Sequence, residues 1–131
     1  MKTIVVATDG SEGAGAALEL AAQIAGETGA ELCCVSVDDS LDTTGIDPAP
    51  EQRARAGAQL ARESGLQAEA VAKVGPAVER IIEVADERDA GLIVVGSRGH
   101  GAIVGTDLGS VSMGLVRKSR RPVLVVKSSD V

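Results

Sequence analysis

Thr3-Ile4-Val5-Val6-Ala7-Thr8-Asp9-Gly10-Ser11 begins as an unbroken apolar run and ends in turn residues. A short run with no polar residue at alternate positions reads as a strand buried on both faces, the mark of a parallel sheet covered by helices on each side. Asp9-Gly10 breaks the strand, and Ser11 supplies a side-chain N-cap for a helix. Ala14, Ala17, Leu18, Ala21, Ile24, Ala25 and Thr28 then recur at helical spacing until Gly29 stops that helix.

The alternation continues along the chain. Residues 31–37 (Glu-Leu-Cys-Cys-Val-Ser-Val) read as a second strand, and the polar segment from Asp38 to Pro50 as the longest loop. A second helix is expected around 51–64, stopped at Gly65, and residues 67–74 form a weaker strand, poor in β-branched residues. Gly75-Pro76 starts a third helix, with proline in the first turn and Val78, Ile81, Ile82 and Ala85 on one face. Residues 91–95 are a fourth strand, 96–109 a glycine-rich loop, 110–119 a short helix and 122–127 a fifth strand. Strands joined through helices imply right-handed crossovers and a mainly parallel sheet. Five strands with helices on both faces make a doubly wound, Rossmann-like α/β fold, and the 131 residues fit one domain, 1–131, without an internal linker.

Composition narrows the function. The chain is 44% hydrophobic and 24% charged yet has no Phe, Tyr or Trp, so its core is built of Val, Ile, Leu and Ala. Without aromatic rings there is no base stacking, and a net charge of −6 opposes a phosphate backbone; no nucleic-acid partner is expected. No run approaches the ~18 apolar residues of a membrane span, and Met1-Lys2 leads into a strand rather than a signal peptide. Cys33 and Cys34 are adjacent, which on a strand sends them to opposite faces as reduced, buried residues; a metal or redox pair would want a CxxC spacing. A cytoplasmic protein with no metal site is the expectation.

In a doubly wound sheet, ligands bind beyond the carboxyl ends of the strands, where the winding reverses. Two loops of unusual composition lie at such ends. One is Asp9-Gly10-Ser11; the other is Gly96-Ser97-Arg98-Gly99-His100-Gly101, with Gly109-Ser110 further on. Glycines allow close backbone approach to a phosphate, and a helix opening at Gly109-Ser110 adds unpaired N–H groups and a positive dipole end. The hydroxyls of Ser110 and Ser112 are further donors. Read alone, such a loop is equally a flexible connection. Other nucleotide and hydrolase motifs fail: GxxxxGK[ST] and GxSxG are absent, and Gly99-x-Gly101-x3-Gly105 misses the dinucleotide fingerprint by one residue.

Gly96-x2-Gly99-x9-Gly109-Ser110 resembles, without a gap, the nucleotide-binding pattern of the ATP-binding universal stress proteins. Ile93-Val94-Val95 before it, Val111-Ser112 within it, Pro122-Val123-Leu124-Val125-Val126 after it, and Val5-Val6-Ala7-Thr8-Asp9-Gly10-Ser11-Glu12 at the start agree as well. The similarity spans the chain apart from about 38–65. It implies sheet order 3-2-1-4-5, with the first and fourth strands side by side and Asp9 beside the glycine loop. It further implies that Asp9 accepts from the ribose hydroxyls, that Ala7 and Val37 meet adenine through their backbone, and that Gly96 lies by the ribose. Gly99, Gly109, Ser110, Val111 and Ser112 would hold phosphates, with Arg98 as a nearby cation.

The chain departs from the family between Gly101 and Leu108, where Ala102-Ile103-Val104-Gly105-Thr106-Asp107 replaces a Leu-rich stretch carrying a cation. At ~10 Å and an effective dielectric near 20, one carboxylate opposes one phosphate charge by about 1–2 kcal/mol. Asp107 therefore works against a triphosphate unless it helps hold Mg²⁺, and ADP, AMP or a cyclic nucleotide stand beside ATP as ligands. With no Walker lysine, arginine finger or positioned base, the expected role is a stress-response regulator that binds an adenine nucleotide with slow hydrolysis at most. The alternative is a dimeric interaction module of the same family that no longer binds nucleotide. In either case the apolar edge strand at 122–127 predicts a homodimer. The cations Arg117, Lys118, Arg120 and Arg121 read as complements to the dipole of the preceding helix rather than a phosphate patch.

Overall fold

The computed structural model describes residues 1–9, 12–38, 49–97 and 109–127. The elements run β1 (Thr3–Ala7), α1 (Glu12–Thr28), β2 (Glu31–Asp38), α2 (Ala49–Glu63), β3 (Ala68–Val74), α3 (Ala77–Glu87), β4 (Leu92–Gly96), α4 (Ser110–Lys118) and β5 (Val123–Val126). The five strands form one parallel sheet in the order β3-β2-β1-β4-β5. This is the doubly wound arrangement, with β1 and β4 adjacent where the winding reverses.

Alternation along the strands builds two separate cores. Ile4, Val6, Leu32, Cys34 and Val94 point to one face and pack under Ala17, Ala21 and Ala25 of α1 and Ala58 and Ala61 of α2. Val5, Ala7, Cys33, Val35, Ile93 and Val95 point to the other, under Ile81, Val84 and Ala85 of α3 and Leu115 of α4. Both faces of the central strands are thus covered, which is why β1 and β4 carry no polar alternation. The helices contribute mainly alanine to the first core. Thin side chains let them lie close to the β-branched sheet, and this closeness replaces the volume that aromatic rings would supply.

Two boundaries differ from the sequence expectation. The second helix starts at Ala49, so Pro50 lies buried in its first turn rather than in the loop; its missing N–H had no intrahelical partner there. Pro76 is the N-cap of α3, extended at φ −61 and ψ 125, rather than a first-turn residue. The basic run from the last turn of α4 to the start of β5 is tied down at two places. Lys118 pairs with Glu79 at 2.9 Å, and Arg121 holds Asp86 at 2.9 Å, Asp89 at 3.1 Å and the Ala90 carbonyl at 2.7 Å. These bonds clasp α4 and the start of β5 to α3, so neither side chain is a loose phosphate ligand.

The adjacent cysteines fall one in each core, both fully buried and unbridged. Burial pushes the Cys33 thiol up to about 12, against the opposing pull of Arg88, and the Cys34 thiol up to about 11, against Arg62. An unfolded thiol ionises near ~8.5. Above that pH the unfolded chain has lost protons that the folded chain retains, so stability is intact below about 8.5 and falls as pH rises toward 11 and 12. Chemical denaturation at stepped alkaline pH should show this loss, and Cys33→Ala/Cys34→Ala should flatten it. At neutral pH a thiol reagent should react only at the rate of unfolding.

Candidate functional site

The crevice beyond the carboxyl ends of β1 and β4 is assembled from strand ends and two helix starts. Ile4, Val5 and Val6 of β1 lie in register with Leu92, Ile93 and Val94 of β4, so the residues after each strand leave the sheet together. On one side of the crevice the Thr8 N–H donates to the Val35 carbonyl at 2.9 Å, extending the β1–β2 ladder by one bond before Asp9. Asp9 is half-buried there. Ala7 pairs with Val35, and Val37 lies two residues further along β2 on the same face; Ala7 is buried and Val37 half-buried.

On the other side the bonds converge on Ser97. Its N–H donates to the Val126 carbonyl at 2.8 Å, and its carbonyl accepts from the Gly109 N–H and from the Ser112 hydroxyl at 2.9 Å. The Ser112 hydroxyl also lies 3.1 Å from the Gly109 carbonyl. These contacts fix the start of α4 against the end of β4. Gly109 is the N-cap of α4 at φ −79 and ψ 171, and having no side chain it makes no side-chain cap hydrogen bond. The N–H groups of Ser110, Val111 and Ser112 open a helix and have no intrahelical acceptor, so they form an anion-attracting end at the crevice.

Ser110 and Ser112 divide their work. Ser110 is exposed, while Ser112 is buried with its hydroxyl committed to backbone carbonyls. Ser112 therefore has its N–H, rather than its hydroxyl, to offer a ligand. Arg98 and Gly99 lie outside the described residues, as do Gly10, Ser11, His100, Gly105 and Asp107. Among the described residues no group of three or more His, Cys, Asp or Glu could hold a metal.

Gly96 has a task in the fold itself. A Cβ there would lie 2.8 Å from the carbonyl carbon and oxygen of Gly13 and 3.2 Å from the Ala14 nitrogen. The missing side chain lets the first turn of α1 rest directly on the end of β4, so the starts of α1 and α4 flank the same crevice. Sequence reasoning missed Gly13 and Ser97. Gly13 and Gly15 in the first turn of a helix are a readable signal, since glycine there lowers helix propensity and implies a packing reason. For Ser97 the sequence holds no such signal, because its backbone does the work.

The chain is similar to known proteins over nearly its whole length. A family model described as the universal stress protein family matches residues 1–127. A universal stress protein of Mycobacterium tuberculosis is 34% identical, the match covering 98% of this chain and 97% of that protein. The crystal structure of a universal stress protein in complex with cAMP is similar at a TM-score of 0.78 and 34% identity, covering 98% of each chain. A structure of the universal stress protein from Archaeoglobus fulgidus in complex with dAMP is similar at a TM-score of 0.77 and 25% identity, covering 97% of this chain and 98% of the other.

The Gly96–Gly13 contact predicts that Gly96→Ala destabilises the protein without any ligand present. Backbone on both sides cannot step aside as a side-chain tip would, so the loss should be about 1–3 kcal/mol in a denaturant titration. Unchanged stability would mean that α1 does not rest on β4 as described.

Proposed function

The chain belongs to the universal stress protein family, and from that premise we propose that it is a cytoplasmic stress-response regulator that binds an adenine nucleotide without efficient turnover. The observation that supports the reading is the pairing of β1 with β4 where the winding reverses, with Gly96 ending β4 and the glycine-capped start of α4 bonded to Ser97 beside it. Asp9 would accept from the ribose hydroxyls, and the backbone beside Ala7 and Val37 would read adenine. Gly99 and Arg98, with the N–H groups of Gly109, Ser110, Val111 and Ser112, would hold phosphate. The similar structures in complex with cAMP and dAMP support a ligand bearing one phosphate. ATP, with or without Mg²⁺, is the competing ligand, and Asp107 tells against its additional charge. With no Walker lysine or arginine-finger motif in the sequence, slow hydrolysis is the most that this reading expects.

The same reading includes a homodimer through residues 122–127. The Pro122 and Val126 carbonyls both accept from β4, from Ile93 and Ser97 respectively. Alternation then turns the N–H and C=O of Val123 and Val125 away from the sheet, at an edge that a second copy would close by antiparallel pairing. The four side chains of β5 are half-buried, Leu124 and Val126 toward the α1 face and Val123 and Val125 toward α3 and α4.

A melting panel of adenosine, AMP, cAMP, ADP and ATP, with and without Mg²⁺, tests the ligand. Ligand at ~100 times Kd should stabilise by ~2.7 kcal/mol, a shift of several degrees, and Gly99→Val should abolish the shift while leaving the apo melt nearly unchanged. No shift with any adenine nucleotide at millimolar concentration would end the proposal and favour the interaction module. For the dimer, Val125→Pro removes an outward N–H without breaking the β4–β5 ladder, whereas a charge at Val125 would also damage the core. Light scattering should then report monomer with nucleotide binding retained; a wild type already monomeric at tens of micromolar would refute the pairing.

A further inference from the structure

The sheet has two edges, and they are finished differently. At β3 the Gln67 carbonyl accepts from Leu32 of β2, and the Gly75 N–H donates to the Asp38 carbonyl. Residues 67, 69, 71, 73 and 75 therefore turn their backbone groups to β2, and Ala68, Ala70, Ala72 and Val74 turn theirs outward. The outward carbonyls at the two ends are both taken by guanidinium groups. Arg62 donates to the Ala68 carbonyl from Nε at 3.0 Å and Nη2 at 2.7 Å; Arg80 donates to the Val74 carbonyl from Nε at 3.0 Å. Arg80 is further held by Glu83 at 2.6 Å.

The local chain makes room for this arrangement. Gly75 has φ +126, and a Cβ there would lie 2.8 Å from Arg80 Nε, so the bare Cα leaves the guanidinium its seat. Arg62 sits in the last turn of α2, from which it reaches to the first residue of β3. Between the two caps, the outward groups of Ala70 and Ala72 and the Val74 N–H have no hydrogen-bond partner among the described residues. Glu69 and Lys73 add charge along the same stretch. An incoming strand would find the acceptors at both ends of the stretch already occupied and a guanidinium standing over each.

We infer that Arg62 and Arg80 close the β3 edge to strand addition and so confine self-association of this chain to the other edge. A sheet that paired through both edges would add copies without end, whereas one open edge closes on itself at two. The confinement rests on the β5 pairing proposed above; the closure of β3 does not.

Arg62→Ala/Arg80→Ala should keep its circular dichroism spectrum, while its mean mass by light scattering rises about twofold or more above wild type and grows with concentration. Adding Ala70→Pro, which removes an outward N–H and no bond to β2, should return the mass to the wild-type value. The same double substitution in a Val125→Pro background should still gain mass through β3, so failure of the β5 pairing and failure of this inference are read separately. A folded double variant with unchanged mass in both backgrounds would overturn the inference. If the double variant does not fold, wild-type hydrogen exchange decides: Ala70 and Ala72 amides should exchange at least about a hundredfold faster than the inward Val71 amide. Equal protection would mean the edge is already paired.

Discussion

The hydrogen bonds at Ser97 join parts of the molecule that the chain alone leaves apart. Its N–H ends the β4–β5 ladder on Val126, and its carbonyl anchors the start of α4 through Gly109 and Ser112. One residue thus ties the edge strand, the strand at the winding reversal and the helix whose first turn faces the crevice. Gly96, the preceding residue, carries the first turn of α1 on its bare Cα. Displacement of this one peptide would disturb the sheet edge and the β1–β4 crevice together, so the two share one physical element.

Much of this is legible in the sequence, for identifiable reasons. Val5-Val6 and Val94-Val95 read as buried parallel strands because both faces of the sheet are covered, and no later contact contradicts an apolar run. Cys33 and Cys34 fall to opposite cores as period-two geometry requires. The strand order, however, comes from the resemblance, since periodicity says which segments are strands and not which are neighbours. The start of α2 lies two residues before the expected one because Pro50 looks like a loop residue, although proline is at ease in a first turn. Ser112 looks like a hydroxyl donor to phosphate, yet its hydroxyl is spent on the Ser97 carbonyl; a contact across fifteen residues leaves no local trace in the sequence. The edge caps are equally hidden, because an arginine near a strand end reads as an ordinary solvated cation.

The rims of the sheet also differ. Before β4 and β5, Arg121 gathers Asp86, Asp89 and the Ala90 carbonyl, and at the start of β3 Arg88 holds Glu69. These charges are paired, and the Arg88 guanidinium keeps the Glu69 carboxyl below its usual range. At the opposite rim the first turn of α4 opens on a glycine N-cap, which has no side chain to cap its N–H groups. An acidic chain of net charge −6 attracts anions poorly over distance, so an anion at this rim is held by short-range donors. Its binding would depend less on salt than that of a protein with an exposed basic patch.

The two cores packed from alanine and β-branched residues have a further consequence, in optics rather than stability. A chain with no Trp, Tyr or Phe has almost no near-ultraviolet absorption and no intrinsic fluorescence of its own. An adenine ring held in the crevice would be nearly the sole chromophore of the complex in that window. The purified protein's ultraviolet spectrum alone would then reveal whether it leaves the cell with a nucleotide bound, and in what proportion.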